Sequence, residues 1–185
     1  MNKLVFLAGL AVAAVAVTAT LAVATRAGAT PVDVLQAAKA ASARYHSVEQ
    51  ATQAGYSLEG EPCVSAPPPP GLTGAMGIHA VNGALIGPAS AGLDALQPEI
   101  LLYLPKANGE LELVGIEYFA VAADQTPDAA GNFDDSDRPS VLGVPLDGPM
   151  PGHAPGMPVH YDLHVWFWKD NPAGMFAPFN PALSC

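Results

Sequence analysis

Apolar and polar side chains alternate along a ten-residue segment near the carboxyl end of the chain. From residue 159 to 168, every second side chain is apolar. Successive side chains of a strand point to opposite faces, so this run predicts a β-strand with one face in the core. The opposite face carries His160, Asp162, His164, Trp166 and Trp168. That face is therefore the first candidate for a site.

A β-hairpin is predicted between residues 99 and 121. Two apolar runs, at 99–104 and 110–121, flank a short polar segment that contains Asn108 and Gly109. An Asn-Gly pair is the one that a type I′ turn requires. On a strict two-residue period, Leu113, Glu117 and Phe119 share one face of the second strand. The Glu117 carboxyl is then expected among apolar neighbours.

The segment from residue 33 to 55 has the pattern of helices. It is rich in Ala, contains no Pro, and repeats apolar residues near a helical period. Ser47 and Gln50 form a capping-box pattern, and Gly55 is a typical C-terminal stop. The pattern predicts two helices, at about 33–44 and 47–54.

Two other segments interrupt regular structure. Pro-rich residues 62–70 predict an extended strap that cannot join a central strand. Residues 123–158 form an acidic loop rich in Pro and Gly, with at most one short strand at 141–146. The whole pattern predicts an α+β fold in which two short N-terminal helices pack on a curved antiparallel sheet. Closure of that sheet toward a barrel stays open.

The first 29 residues have the features of a signal peptide. Lys3 precedes a long apolar run, and small residues at 22–24 and 27–29 suit a signal peptidase. We therefore expect residues 30–185 to form a single domain that is secreted or held in the cell envelope. The alternative is an anchor that is retained, because the run from residue 4 to 24 is long enough to cross a bilayer. After cleavage, no stable insertion in a membrane is expected.

Charge narrows the classes of partner. The chain carries 17 acidic against 7 basic side chains, a net charge of −10. Removal of the leader takes away two basic residues and no acidic one. A protein this acidic lacks the positive surface that nucleic acids and anionic membranes attract, so neither is an expected partner.

The two cysteines point to an oxidising compartment. Cys63 and Cys185 are an even pair in a chain with an export signal, where a disulfide is the usual outcome. Only one pairing is possible. Two free thiols are the alternative, which the terminal position of Cys185 disfavours.

Imidazole and carboxylate side chains give the main candidate site. His164 and Asp162 leave the same face of the last strand, and Glu117 lies on the hairpin. We expect these three, with His79, to form a cluster that binds a small molecule or a divalent transition-metal ion, because imidazole and carboxylate suit zinc, iron or manganese. A purely structural polar network is the alternative. Trp166 and Trp168 are expected as walls of a pocket or as core residues.

A secondary metal candidate combines sulfur and imidazole donors. Met150, His153, Met157 and His160 lie close together in sequence. Thioether and imidazole suit copper in an exported protein. The alternative is that the methionines only pack the loop onto the sheet.

Several motifs also resemble an uncharacterised family of exported bacterial proteins. They are the Met-Gly-Ile-His segment at 76–79 with Asn82, the Gly-Ile-Glu-Tyr segment at 115–118, and the long ending from residue 160 to 185. The resemblance covers roughly residues 45–185. It implies no established activity, and it adds only that His79, Glu117 and His164 fall within the family's motifs.

Three functions follow as hypotheses. The first is an exported protein that binds a small ligand or a metal ion through the His, Glu and Asp cluster. The second is an enzyme that uses the same groups, either with a metal or with Glu117 and His164 as acid and base. The third is a structural envelope protein without a ligand.

Overall fold

A computed structural model of the protein describes residues 29–66 and 73–185. The predicted signal peptide, apart from its last residue, lies outside the described residues. Within these ranges the chain forms the helices α1 (Pro31–Ser42) and α2 (Val48–Gln53) and the strands β1 (Cys63–Ser65), β2 (Ala75–Val81), β3 (Gly87–Pro88), β4 (Ile100–Pro105), β5 (Leu111–Val121), β6 (Ser140–Val141), β7 (Val144–Pro145), β8 (Asp147–Met150) and β9 (His160–Val165).

Side chains at the helix ends fix the boundaries of both helices. The Thr30 hydroxyl accepts the Asp33 N–H, and the Asp33 carboxylate accepts the Thr30 N–H at 2.9 Å. This reciprocal capping box starts α1 at Pro31, two residues before the predicted start. The Ser47 hydroxyl caps α2 by accepting the Gln50 N–H at 3.2 Å. Both helices are thus confirmed, with a short 3₁₀ turn at Ala43–His46 between them.

Seven of the strands named above form one large sheet, in which β1-β2-β4-β5-β9-β8 is the order of neighbours, and β6 and β7 form a separate two-stranded sheet. Neighbours along this path are antiparallel, and β3 joins β5 in parallel. The sheet curls strongly into a half-barrel, on which the N-terminal helices pack. The α+β prediction is therefore confirmed, with the curvature short of a closed barrel.

The sheet carries a separate apolar cluster on each face. The larger cluster joins Ala38, Tyr45 and Ala51 of the helical region to Tyr118 and Leu163 of the sheet. The smaller cluster consists of Ile100, Leu102, Leu104, Val114, Phe119 and Trp166. We call the side with this smaller cluster the site face. The predicted alternation along β9 is confirmed, because its apolar residues belong to the larger cluster.

A β-bulge corrects the predicted face of one residue. Leu102 pairs with Gly115 while Tyr103 pairs with Leu113, so Val114 is an extra residue in β5. An extra residue reverses the faces on one side of it. Leu113 consequently lies in the larger cluster, whereas Glu117 points to the site face. The prediction that Leu113 and Glu117 share a face is wrong, since a strict two-residue period ignores the bulge.

The hairpin turn also differs from the predicted type. The hairpin itself is confirmed, with β4 paired to β5. Gly109 has φ +84°, but Asn108 does not have a positive φ, and the Gly109 N–H bonds to the Lys106 carbonyl at 2.9 Å. A type I′ turn needs positive φ at both central residues, so the loop instead follows the longer pattern that ends in a left-handed glycine.

The acidic loop contains more structure than its sequence indicated. Residues 123–158 include β6, β7 and β8, where at most one short strand was expected. Aspartate side chains hold much of the remainder by accepting backbone N–H groups: Asp128 binds those of Ala130 and Asn132. The Arg138 side chain bonds to the Leu146 carbonyl at 3.0 Å. Local side-chain bonds of this kind are not visible in a hydrophobic pattern.

The disulfide ties the extended strap to the end of the chain. Cys63 and Cys185 are bonded, as predicted, across 122 residues. Cys63 lies in β1, which pairs with β2 at the edge of the sheet. The described part of the strap, residues 62–66, thus lies outside the centre of the sheet, while residues 67–70 lie outside the described residues. In the described ranges, no helix is long and apolar enough to cross a membrane.

Reduction of the disulfide should lower stability without abolishing the fold. Loss of a bond that closes so long a loop enlarges the unfolded ensemble, and we expect a loss of about 2 to 5 kcal/mol. Urea unfolding of the oxidised and reduced protein, and of the Cys63→Ser, Cys185→Ser double variant, measures it. Equal unfolding midpoints in all three samples would contradict the structural role of the bond.

Candidate metal centre

Three strands place an imidazole, a carboxylate and a second imidazole together on the site face. Glu117 of β5 pairs directly with His164 of β9. On the other side of β5, Glu117 pairs with Ile100 of β4, while His79 of β2 pairs with Leu102. The side chains of His79 and Glu117 therefore meet above β4 on the curled sheet. We call His79, Glu117 and His164 the triad.

Two glycines allow the close backbone contacts around the triad. A Cβ on Gly115, two residues before Glu117, would lie 2.7 Å from the Val165 carbonyl oxygen of β9. Gly77, two residues before His79, has φ +96°, and its Cβ would lie 2.5 Å from the Tyr103 carbonyl oxygen. Larger residues would push the neighbouring strands away. Glycine at both positions thus keeps β2, β4, β5 and β9 close enough for the triad to form.

The donor atoms of the triad converge on one point. Glu117 Oε2 lies 3.2 Å from His79 Nε2 and 3.5 Å from His164 Nε2. One ligand atom from each of the three residues lies within 4.8 Å of the other two. The Glu117 and His164 side chains are only 4% and 2% exposed, and the His79 side chain 15%. Glu117 and His164 are thus almost fully buried, and His79 is the most exposed member of the triad.

Two of these buried atoms have no hydrogen-bond partner in the part of the chain that the structure describes. They are Glu117 Oε2 and His164 Nε2. Neither the 3.2 Å contact of Glu117 Oε2 with His79 Nε2 nor its 3.5 Å contact with His164 Nε2 has the geometry of a hydrogen bond. Buried polar atoms in native proteins are nearly always satisfied, so this pair calls for an explanation.

Electrostatics keep Glu117 ionised. Burial raises the pKa of this carboxyl, but the adjacent His164 and His79 imidazoles lower it, and the net shift is downward. Burial likewise lowers the pKa of His79, while the Glu117 charge raises it, with a net upward shift. The triad therefore combines a buried anion with two adjacent imidazoles.

The triad opens into a cavity of about 420 Å³. Seven apolar and six ionisable residues line it: Glu61, Pro62, Val64, Met76, His79, Val81, Ile100, Glu117, His153, Ala154, Met157, Asp162 and His164. The volume falls within the range of small-molecule sites. An ion held by the triad would thus face a space large enough for a small molecule.

Asp162 belongs to the cavity but not to the triad, although the sequence pattern grouped it with His79, Glu117 and His164. It does share their face, since it pairs with Phe119 on β5. Its nearest imidazole is His160, with 3.7 Å between Asp162 Oδ2 and His160 Nε2. The structure therefore brings three of the four predicted residues together and places the fourth beside another histidine.

The secondary candidate residues surround His160. The His153 and His160 rings meet edge to face, with centroids 5.1 Å apart. Met157 Sδ accepts the backbone N–H of His153 at 3.3 Å, so this sulfur joins two residues of the same loop. Met150 pairs with His160 across β8 and β9. The two imidazoles are thus in contact, while the Met157 sulfur has a packing role.

Neither tryptophan lines this cavity. Trp166 is buried in the smaller apolar cluster, and its Nε1–H donates to the Ala177 carbonyl at 2.7 Å. Trp168 packs against His46, with ring centroids 4.8 Å apart. Trp166 therefore has the core position, which was the alternative to a place in the pocket wall. Trp168 is half-buried against the larger cluster, so the prediction that it shares a face with Trp166 is wrong, because β9 and its alternation end at Val165.

Two carboxylates near the site were missed by sequence reasoning. Glu61 reaches the cavity because the strap is pinned by the disulfide, and no local pattern signals that position. Glu99 is 4% exposed and its Oε2 accepts the Phe119 N–H at 3.1 Å. For Glu99 the sequence did contain a signal, because a charged residue directly precedes the apolar run of β4.

No family model, no curated protein and no solved structure matches this chain. The resemblance to exported bacterial proteins stays a prediction. Function must therefore be argued from the site itself.

Glu99 should make the stability of the protein depend on pH. Burial raises the pKa of this carboxyl to about 7, against the Phe119 N–H, which lowers it. Glu99 binds its proton more tightly in the folded than in the unfolded protein, so protonation stabilises the fold. This contribution to the free energy of unfolding is complete below about pH 4.5, the ordinary pKa of the group. That contribution is lost as the pH rises through about 7, a total of about 2 to 3 kcal/mol.

The Glu99→Gln variant should remove this dependence, because the amide oxygen still accepts the Phe119 N–H and the side chain cannot ionise. Urea unfolding in chelator from pH 4.5 to 8 measures the slope for Glu99→Gln and for Glu59→Gln, a control at an exposed carboxyl. The same slope in Glu99→Gln and the wild type would refute the assignment.

Proposed function

We propose that the protein binds one divalent transition-metal ion through His79 Nε2, a Glu117 carboxylate oxygen and His164 Nε2. The observation that carries the proposal is the convergence of three donors of which two, Glu117 Oε2 and His164 Nε2, are buried without a hydrogen-bond partner among the described residues. A cation at the point of convergence would satisfy all three.

The donor set fits known metal chemistry. Two histidines and one carboxylate bind catalytic zinc and non-haem iron, and each leaves further positions open. Two ligands at about 2.0 to 2.2 Å from a tetrahedral ion lie about 3.3 to 3.6 Å apart. The observed Glu117 separations of 3.2 and 3.5 Å are close to that range. Zinc, iron and manganese are accordingly the candidate ions.

A structural polar network explains the same residues less well. Such a network stabilises a fold when each buried group has a partner. Here the two atoms at the centre of the cluster lack one within residues 29–66 and 73–185. The Glu117 charge, moreover, has no Lys or Arg in salt-bridge contact in those ranges. A metal ion supplies both the missing ligand contacts and the missing positive charge.

The cavity favours a small molecule as a further ligand of the ion. An ion on the triad would direct its open positions toward apolar walls that include Val81 and Ile100. A molecule with one coordinating atom and a small apolar body suits this combination. We also propose that the protein is exported. The Cys63–Cys185 disulfide supports this proposal, because such bonds persist in oxidising compartments.

Substitution of the triad should remove metal binding. Titration calorimetry with Zn²⁺, after treatment with chelator, should show affinity at this site lowered about 100-fold or more in Glu117→Gln and His164→Ala. Glu117→Gln keeps the side-chain volume and removes only the charge. His46→Ala, which changes an exposed histidine outside the cavity, should bind as the wild type does.

Cobalt provides a second readout of the same site. Co²⁺ bound by two imidazoles and a carboxylate should give visible absorption bands, and azide should shift them if a coordination position faces the cavity. Wild-type protein that binds no Zn²⁺ or Co²⁺ would contradict the proposal. If His164→Ala then cost only about 1 to 3 kcal/mol of stability, the result would favour a polar network.

A further inference from the structure

A second unsatisfied histidine lies on the site face, outside the triad. His160 is fully buried, and its Nδ1 lies 3.0 Å from the Pro158 carbonyl oxygen. A carbonyl oxygen can only accept, so Nδ1 carries the proton. Its Nε2 is buried and has no hydrogen-bond partner among the residues that the structure describes. The contact with Pro158 thus leaves the Nε2 lone pair free to bind a cation.

A carboxylate oxygen lies close to this lone pair. Asp162 Oδ2 lies 3.7 Å from His160 Nε2. Two electron-rich acceptors that face each other in a buried site are unfavourable unless a positive charge lies between them. An ion about 2.1 Å from both atoms would fit this separation with an angle of about 125° at the ion.

Aromatic rings on two sides hold the His160 ring in place. Phe119 stacks on the ring, with centroids 4.6 Å apart and planes 17° from parallel. His153 meets the ring from another side, with centroids 5.1 Å apart. His153 and Asp162 both line the cavity, so an ion could reach the site from there. A histidine whose other nitrogen donates to a carbonyl, as His160 does, has the usual arrangement of a metal ligand.

We propose that His160 Nε2 and Asp162 Oδ2 form a second site for a transition-metal ion, separate from the triad. His160 and His164 are four residues apart on β9, which corresponds to about 13 Å along the strand. Each histidine faces a different carboxylate, Asp162 and Glu117 respectively. Imidazole and carboxylate donors suit zinc or copper. The cavity would then lie between two ions.

A proton is the competitor for this second site. Burial lowers the pKa of His160, but the nearby Asp162 carboxylate and the Pro158 carbonyl raise it, and the net shift is upward. An imidazolium would also place a positive charge between the two side chains. Metal binding at this site should accordingly weaken as the pH falls, because the proton and the ion occupy the same nitrogen.

Zinc stoichiometry at pH 7.5 separates the two sites. Calorimetry, with metal analysis after dialysis, should give two Zn²⁺ in the wild type and in His46→Ala, and one in each of Asp162→Asn and His164→Ala. The Asp162→Asn, His164→Ala double variant should bind none. Asp162→Asn is preferred to His160→Ala because it keeps the volume of the buried side chain.

Other numbers of bound Zn²⁺ ions would support one of the two sites and refute the other, or refute both. One Zn²⁺ in the wild type that is lost in His164→Ala and kept in Asp162→Asn would overturn the second site and leave the triad. Two Zn²⁺ in Asp162→Asn would likewise overturn it. One Zn²⁺ that is lost in Asp162→Asn and kept in His164→Ala would support the second site and refute the triad. No Zn²⁺ in the wild type would refute both.

Nitrogen NMR of the histidine side chains tests the second site without a variant. In zinc-free protein at pH 7.5, His160 Nε2 should have the shift of a bare nitrogen, and it should move when Zn²⁺ fills the second site. A doubly protonated His160 ring that Zn²⁺ leaves unchanged would overturn the proposal.

Discussion

Glu117 imposes the constraint on which the site depends: an ionised carboxylate lies in the interior of the sheet, beside two imidazoles. Removal of a carboxylate from water is costly unless charge or hydrogen bonds compensate it. His79 and His164 supply part of that compensation, as the lowered pKa of Glu117 indicates. On the proposed function, a metal ion supplies the remainder, and the same three donors are well suited to hold it.

The fold makes this arrangement possible because one face of the sheet holds the main apolar core and the other face holds the polar groups. The face toward the helices holds the larger apolar cluster, which includes Tyr118, Tyr161 and Leu163 and supplies the main hydrophobic stabilisation. The site face has a smaller apolar cluster and can therefore hold polar groups. Curvature brings His79 and Glu117 together across β4, and the disulfide keeps the strap with Glu61 beside the cavity.

Much of this arrangement could be predicted from the sequence, because it depends on local patterns. The alternation along β9 separated Leu163 from His164, and the capping residues identified both helices. Residue chemistry and the strand faces predicted a cluster of His79, Glu117, Asp162 and His164, of which three form the triad. The bulge at Val114 could not be predicted in this way, because it arises from pairing with β4. The same holds for Asp162, whose neighbour depends on distances across the sheet, and for Glu61, which the disulfide positions.

X-ray absorption at the zinc edge tests the central claim most directly, because it reports the atoms bound to the ion rather than the effect of removing them. Protein loaded with one equivalent of Zn²⁺, with Asp162→Asn to restrict binding to the triad, should show imidazole scattering from two histidines and one carboxylate oxygen at about 2.0 to 2.2 Å. A spectrum with oxygen neighbours alone and no imidazole contribution would contradict a metal centre on the triad.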